Sequence, residues 1–191
     1  MLLDPDSLYQ ALKAHDDLFV ALPGISLEHG ADMSAYAEFK SPLGKILVTA
    51  DGEHITGIYF EGQKYFPKDL SVFQKTPQNE VIRLCGRQLG EYFAGERTTF
   101  DLPLQPAGTP FQRQVWSALR KIASGKTATY GDIANKVGKP AAARAVGAAV
   151  GRNPISVVIP CHRVVGASGS LTGYAGGLQR KKALLSLEGA F

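Results

Sequence analysis

Apolar and polar positions change rhythm along this chain, and the changes mark out its elements. From Ala35 onward the pattern is of short β-type runs at residues 36–40, 45–50 and 55–60, separated by Pro42-Leu43-Gly44 and Asp51-Gly52. Turn residues between alternating apolar runs predict a small antiparallel sheet. Over residues 79–94 the period lengthens: Ile82, Cys85, Leu89, Tyr92 and Phe93 recur at helical spacing and stop at Gly95. Upstream, Leu8, Leu12 and Phe19 after Asp4-Pro5 predict a short helix within an extra arm, residues 1–33.

A proline-rich stretch, residues 102–110, interrupts the pattern and has the composition of a linker, so the expected domains are 1–102 and 103–191. Helical periodicity then returns at 111–122, 130–137 and 141–150, the last two joined by a tight turn at Gly138-Lys139-Pro140. Two short helices across a glycine turn match a helix-turn-helix. The second of them is unusual for a base-reading helix, because Ala141, Ala142, Ala143, Ala145, Gly147, Ala148 and Ala149 surround a single cation, Arg144. Small side chains permit close backbone approach to DNA but little sequence reading. Residues 155–159, β-branched and apolar, read as a buried strand that Pro160 ends.

Charge sharpens this division. The net +4 conceals nine Lys+Arg against fifteen Asp+Glu in residues 1–101, and twelve against two in residues 102–191. So large a basic excess on the helix-turn-helix half creates a field suited to a polyanion, most commonly nucleic acid. With 45% apolar and 20% charged residues the chain has the composition of a globular protein, which excludes disorder as its default. No stretch approaches a membrane span and the first residues do not resemble an export signal, so a cytoplasmic protein is expected. Cys85 and Cys161 stand far apart, and His15, His29 and His54 are scattered, so neither a disulfide nor a metal framework is expected.

Candidate chemistry gathers at Pro160-Cys161-His162-Arg163-Val164. Cysteine attacks as its thiolate, and a neighbouring imidazole with a basic local field can lower its pKa. Adjacent side chains on an extended chain face opposite ways, so His162 is expected to draw the Cys161 proton through a water. Cys85, on the apolar stripe of its helix, is expected to be an inert packed thiol. Two other readings of the Cys-His pair are a hydrolase, which would need an acyl substrate and an oxyanion hole, and a helix-turn-helix regulator with an inert cysteine.

The pentapeptide at 160–164 resembles the active-site signature of the O6-alkylguanine-DNA alkyltransferases, and the similarity runs over residues 109–189. It takes in Thr129-Tyr130-Gly131, Ala143-Arg144-Ala145-Val146-Gly147, Arg152-Asn153-Pro154, Gly173-Tyr174-Ala175-Gly176-Gly177 and Leu187-Glu188-Gly189. In the first half only Ser41-Pro42-Leu43-Gly44 and the strands after it are similar. The resemblance implies an α/β fold, with a small RNase H-like antiparallel sheet followed by an α-rich winged helix-turn-helix domain. It implies direct repair of double-stranded DNA by a monomer without cofactor: O6-alkylguanine, approached from the minor groove, is turned out of the duplex and its alkyl group passes irreversibly to Cys161.

By the same resemblance Glu188 orients His162, Asn153 links the recognition helix to the active-site segment, and Tyr130 gives a proton to the departing guanine. Arg144 fills the gap in the stack, with Thr129, Ala143, Ala145 and Gly147 against DNA. Tyr174, Ala175, Gly176 and Val164 line the lesion pocket. Ala175 departs from relatives that carry serine there, which removes a donor towards guanine O6.

Overall fold

The structure, a computed structural model, describes residues 34–191, and the arm 1–33 with its expected helix lies outside the described residues. The chain forms two compact units. The described residues up to Glu61 together with Phe66–Gln105 make the first, and Gly62–Tyr65 with Pro106–Phe191 make the second.

In the first unit, β1 (Ala35–Phe39), β2 (Ile46–Asp51) and β3 (His54–Phe60) form an antiparallel meander. Gly44, at φ 106°, supplies the conformation that the β1–β2 turn needs, and Ser41 Oγ donates to its carbonyl at 2.6 Å. A fourth strand, β4 (Gln74–Lys75), pairs parallel to β1, so the sheet is mixed, in the order β3-β2-β1-β4. Only two residues long and exposed at both, β4 leaves no alternation to read in the sequence.

Helix α1 (Glu80–Phe93) is capped by Asn79, which accepts from the Ile82 amide, and buries Val81, Ile82, Cys85, Leu89, Tyr92 and Phe93. It comes so near the sheet that a Cβ on Gly86 would sit 2.5 Å from the Phe39 ring. Each large side chain removed from water in this core contributes about 1.5–3 kcal/mol. Residues 103–105 bond to both the amide and the carbonyl of Ile55, closing the open side of β3.

The second unit holds α2 (Pro110–Leu119), α3 (Tyr130–Lys136), α4 (Ala143–Gly151) and α5 (Leu178–Leu187). Thr109 with Gln112, and Thr129 with Asp132, form reciprocal capping boxes that set the starts of α2 and α3. Gly138, at φ 70°, ends α3, and a single 3-10 turn (Pro140–Ala142) leads into α4. Trp116 Nε1 donates to the Ala149 carbonyl at 2.9 Å, stapling α2 to α4. Two parallel two-residue strands, β5 (Ala128–Thr129) and β6 (Val164–Val165), lie beside the helices.

The buried strand expected at residues 155–159 is absent. The chain coils there in successive turns, with Val157 at φ 69°. A strand needs a ladder partner, and here the buried amide side chain of Asn153 supplies the bonds instead. It accepts from the Ile155 amide and donates to the carbonyls of Ile155 and Ile159.

Candidate active site

Pro160 ends this coil, and Cys161–Arg163 make one 3-10 turn before β6. Cys161 is 4% exposed, and its Sγ accepts from Asn153 Nδ2 at 3.1 Å. One asparagine therefore holds both the coil and the sulfur. Burial pushes the Cys161 thiol up from its ordinary value, against the lowering influence of Asn153, the Lys181 charge and two backbone amides. This corrects the expectation of a thiol made acidic by its neighbours: desolvation outweighs the basic surroundings. At rest the sulfur is protonated, and it needs a base.

His162 is fully buried, and burial lowers its pKa despite the opposing influence of Glu188, so the imidazole is neutral near pH 7. Its Nε2 lies 2.8 Å from Glu188 Oε1. A neutral ring facing a carboxylate carries its proton on that nitrogen, which leaves Nδ1 with a free lone pair. Nδ1 is buried and has no hydrogen-bond partner among the described residues.

Glu188 caps the C-terminus of α5 with its side chain 1% exposed. It also takes a two-pronged bond from Arg163, Nε to Oε2 and Nη2 to Oε1, both at 2.8 Å. Arg163 Nη1 donates to the Ile122 carbonyl at 2.5 Å. The guanidinium thus acts as a clamp on the carboxylate rather than as a diffuse field at the sulfur, a second departure from the sequence expectation.

Lys181 was not singled out from sequence, yet it is the group that closes this cluster. Fully buried on α5, it donates from Nζ to the carbonyls of Val164 and Thr172 at 2.5 and 2.6 Å. Burial pushes its pKa down to about 8, with the Cys161 sulfur acting in the opposite direction. The sign of that coupling means that a thiolate at Cys161 and an ammonium at Lys181 stabilise each other. The available signal was a lysine standing in line with Leu184 and Leu185 on the inner face of α5.

The remaining candidates fall into two groups. Tyr130 opens α3, its hydroxyl accepts a long 3.5 Å bond from Thr172, and a Cβ on Gly147 would touch its ring at 3.7 Å. On α4, Arg144 and Ala145 are exposed, Ala143 and Gly147 half-buried, and Val146, Ala149 and Val150 face the core. The Thr129 hydroxyl is engaged in its capping box. In the loop before α5, Tyr174 Oη is buried near Ser156 with no well-formed hydrogen bond among the described residues, the Ala175 carbonyl accepts from the Lys64 amide at 2.9 Å, and Gly176 is buried. Val164 is fully buried in β6. Cys85 is fully buried as well, and burial drives its thiol far upward, so it is unreactive at neutral pH. No group of histidine, cysteine and carboxylates able to hold a metal ion occurs among the described residues.

Comparison with known proteins places this geometry in a family. Residues 35–106 match the ribonuclease-like domain of 6-O-methylguanine DNA methyltransferase, and residues 110–190 match its DNA binding domain. The methylated-DNA–protein-cysteine methyltransferase of Methanosarcina acetivorans is 50% identical over 156 residues, covering 81% of this chain and 98% of its own. That of Haemophilus influenzae is 46% identical over 161 residues, covering 80% and 85%. Among solved structures, the Mycobacterium tuberculosis O6-methylguanine methyltransferase aligns with a TM-score of 0.76 at 46% identity, over 83% of this chain and 94% of that one. The Mycobacterium tuberculosis OGT solved in complex with DNA aligns at 0.74 and 43% identity, over 82% and 92%. With both domain models matched in order and half the residues shared with a relative along nearly its whole length, this chain belongs to the methylated-DNA–protein-cysteine methyltransferase family.

Proposed function

We propose that this protein repairs DNA directly, taking the alkyl group of O6-alkylguanine onto Cys161 and working once per molecule. The observation that carries the reading is the line Cys161, His162, Glu188. A buried thiol needs a base, and beside it in the chain stands a neutral imidazole whose Nε2 is held by a carboxylate and whose Nδ1 has no partner among the described residues. The Cys161 proton passes through a water to His162 Nδ1, and the resulting imidazolium is stabilised by Glu188. The thiolate, favoured by Asn153 and Lys181, attacks the alkyl carbon in line. A carbon–sulfur bond forms as the bond from that carbon to guanine O6 breaks, and the electron pair leaves with the guanine. Tyr130 returns a proton to the departing base. A thioether is a very poor leaving group, so no second half-reaction regenerates the thiol, and no cofactor is required.

The DNA is double-stranded and is approached from the minor groove. Ala143, Ala145 and Gly147 with Thr129 allow close approach, and Arg144 occupies the space of the extruded nucleotide. Tyr174, Ala175, Gly176 and Val164 surround the lesion. Incubation with an O6-methylguanine duplex followed by intact-protein mass measurement tests the reading. The expected result is one methyl group per molecule, on the peptide that contains Cys161 and not on that containing Cys85. Sustained turnover, or repair by Cys161→Ala, would refute it; turnover on an acyl substrate would favour the hydrolase.

A further inference from the structure

One segment lies apart in the chain from the helix-turn-helix yet belongs with it. Gly62–Tyr65, which follows β3, groups by its contacts with the second unit. Two of its hydrogen bonds reach other parts of that unit. The Lys64 amide donates to the Ala175 carbonyl at 2.9 Å, and the buried Gln63 Oε1 accepts from Ser156 Oγ at 3.3 Å. The first of these joins the segment to the loop that carries Tyr174, Ala175 and Gly176, and the second joins it to the coil that leads to Cys161.

Lys64 and Tyr65 are presented from this anchored backbone. Tyr65 stands at φ 63°, a left-handed conformation that an aromatic residue adopts only when its surroundings hold it there, and the residue is 52% exposed. Lys64 Nζ lies 5.1 Å from the ring centroid, and the guanidinium carbon of Arg152 lies 5.8 Å from it. Among the described residues neither cation has a carboxylate partner. Two unneutralised cations on an exposed tyrosine form a surface for a phosphodiester, with the phenol available to donate to a phosphate oxygen.

Arg152 fixes where such a strand would run. It caps the C-terminus of α4, the helix whose first turn carries Arg144. Eight residues at about 1.5 Å each separate the two arginines by about 12 Å along the helix. At about 3.4 Å per nucleotide, that is the length of three to four base steps.

We infer that Lys64, Tyr65 and Arg152 form a second DNA contact, gripping the backbone of the lesion strand beside the nucleotide turned towards Cys161. This inference rests on the reading under "Proposed function". The grip and the lesion loop share the Lys64–Ala175 bond, so a strand held there also orders the loop that receives the base.

The test uses the full chain, with Lys64→Gln and Arg152→Gln singly and together. Binding to an O6-methylguanine duplex is measured in a Cys161→Ala background across a salt series. The slope of log affinity against log salt should become shallower by about one for each cation removed. With Cys161 intact, single-turnover transfer from a subsaturating duplex should slow by at least about tenfold in the double variant, while transfer from free O6-benzylguanine stays within about twofold. Lys64→Arg, which keeps the charge, should retain the parent's salt slope. An unchanged slope in the double variant, or equal losses on duplex and free base, would overturn the inference. Failure of the parent protein to place alkyl on Cys161 would instead overturn the reading on which it rests.

Discussion

In the proposed reaction, Ala175 leaves the loop before α5 without a side-chain donor where charge would develop on guanine O6. On the proposed mechanism that role falls to Tyr130, whose only side-chain partner among the described residues is the 3.5 Å contact with Thr172, a bond weak enough to be released to a substrate. One net hydrogen bond is worth about 0.5–1.5 kcal/mol, so Ala175→Ser should raise the transfer rate by no more than ~10-fold. Tyr130→Phe should cost more than that gain. Single-turnover kinetics on O6-methylguanine DNA decide, and a negligible effect of Tyr130→Phe would show that the proton comes from another group. At the same scale, Arg163 illustrates why adjacency in sequence is a poor guide to role. It follows Cys161 and His162 directly, yet the 3-10 turn carries its guanidinium to Glu188 and Ile122.

Helix α4 combines a buried face, Val146, Ala149 and Val150, with an exposed one on which Arg144 stands among alanines too small to reach base edges. The Trp116–Ala149 bond fixes its position against α2, and towards α3 the room at Gly147 is such that an added Cβ would just touch the Tyr130 ring. On the proposed reading such an element would present backbone and one long cation to DNA and read little sequence. If Arg144 fills the gap left by the extruded nucleotide, Arg144→Ala should slow transfer from duplex DNA far more than transfer from free O6-benzylguanine, because only the duplex must be unstacked. Comparison of second-order rate constants on the two substrates checks this, and equal losses would remove the finger.

At the scale of the molecule, a neutral histidine is locked into the interior, and that has a thermodynamic signature. The pKa of His162 in the folded protein lies below its ordinary 6.5, and burial is the cause. Below that ordinary value the unfolded chain therefore binds more protons than the folded one, and stability falls as pH drops from 6.5 towards the folded value. His162→Gln should flatten this part of the stability profile, as read by urea unfolding between pH 7 and pH 5, while abolishing rapid alkyl transfer. An unaltered profile would mean that His162 is not the buried base. On the alkaline side the linked groups oppose one another. Lys181, with its folded pKa near 8, adds stability as pH rises towards 10.5. The raised thiols of Cys85 and Cys161 remove stability above their ordinary 9.0.

Periodicity and turn chemistry located β1 to β3, α1, α2, the helix-turn-helix pair and the inert Cys85, because each rests on local alternation, helical spacing or a glycine turn that the chain itself displays. The motif around Cys161 pointed to the family by its resemblance to the family's active-site signature, whereas the chemistry of a Cys-His pair alone left a hydrolase and a regulator open. Tertiary structure alone decided the rest. Whether residues 155–159 form a strand depended on a partner for their backbone, and Asn153 took that place. Whether Cys161 is acidic depended on how far its desolvation exceeds its neighbours' charges. The parts played by Arg163, Lys181 and Lys64 depended on groups from 9 to 111 positions away along the chain, joined to them only when α5 and the segment after β3 close on the coil around Cys161.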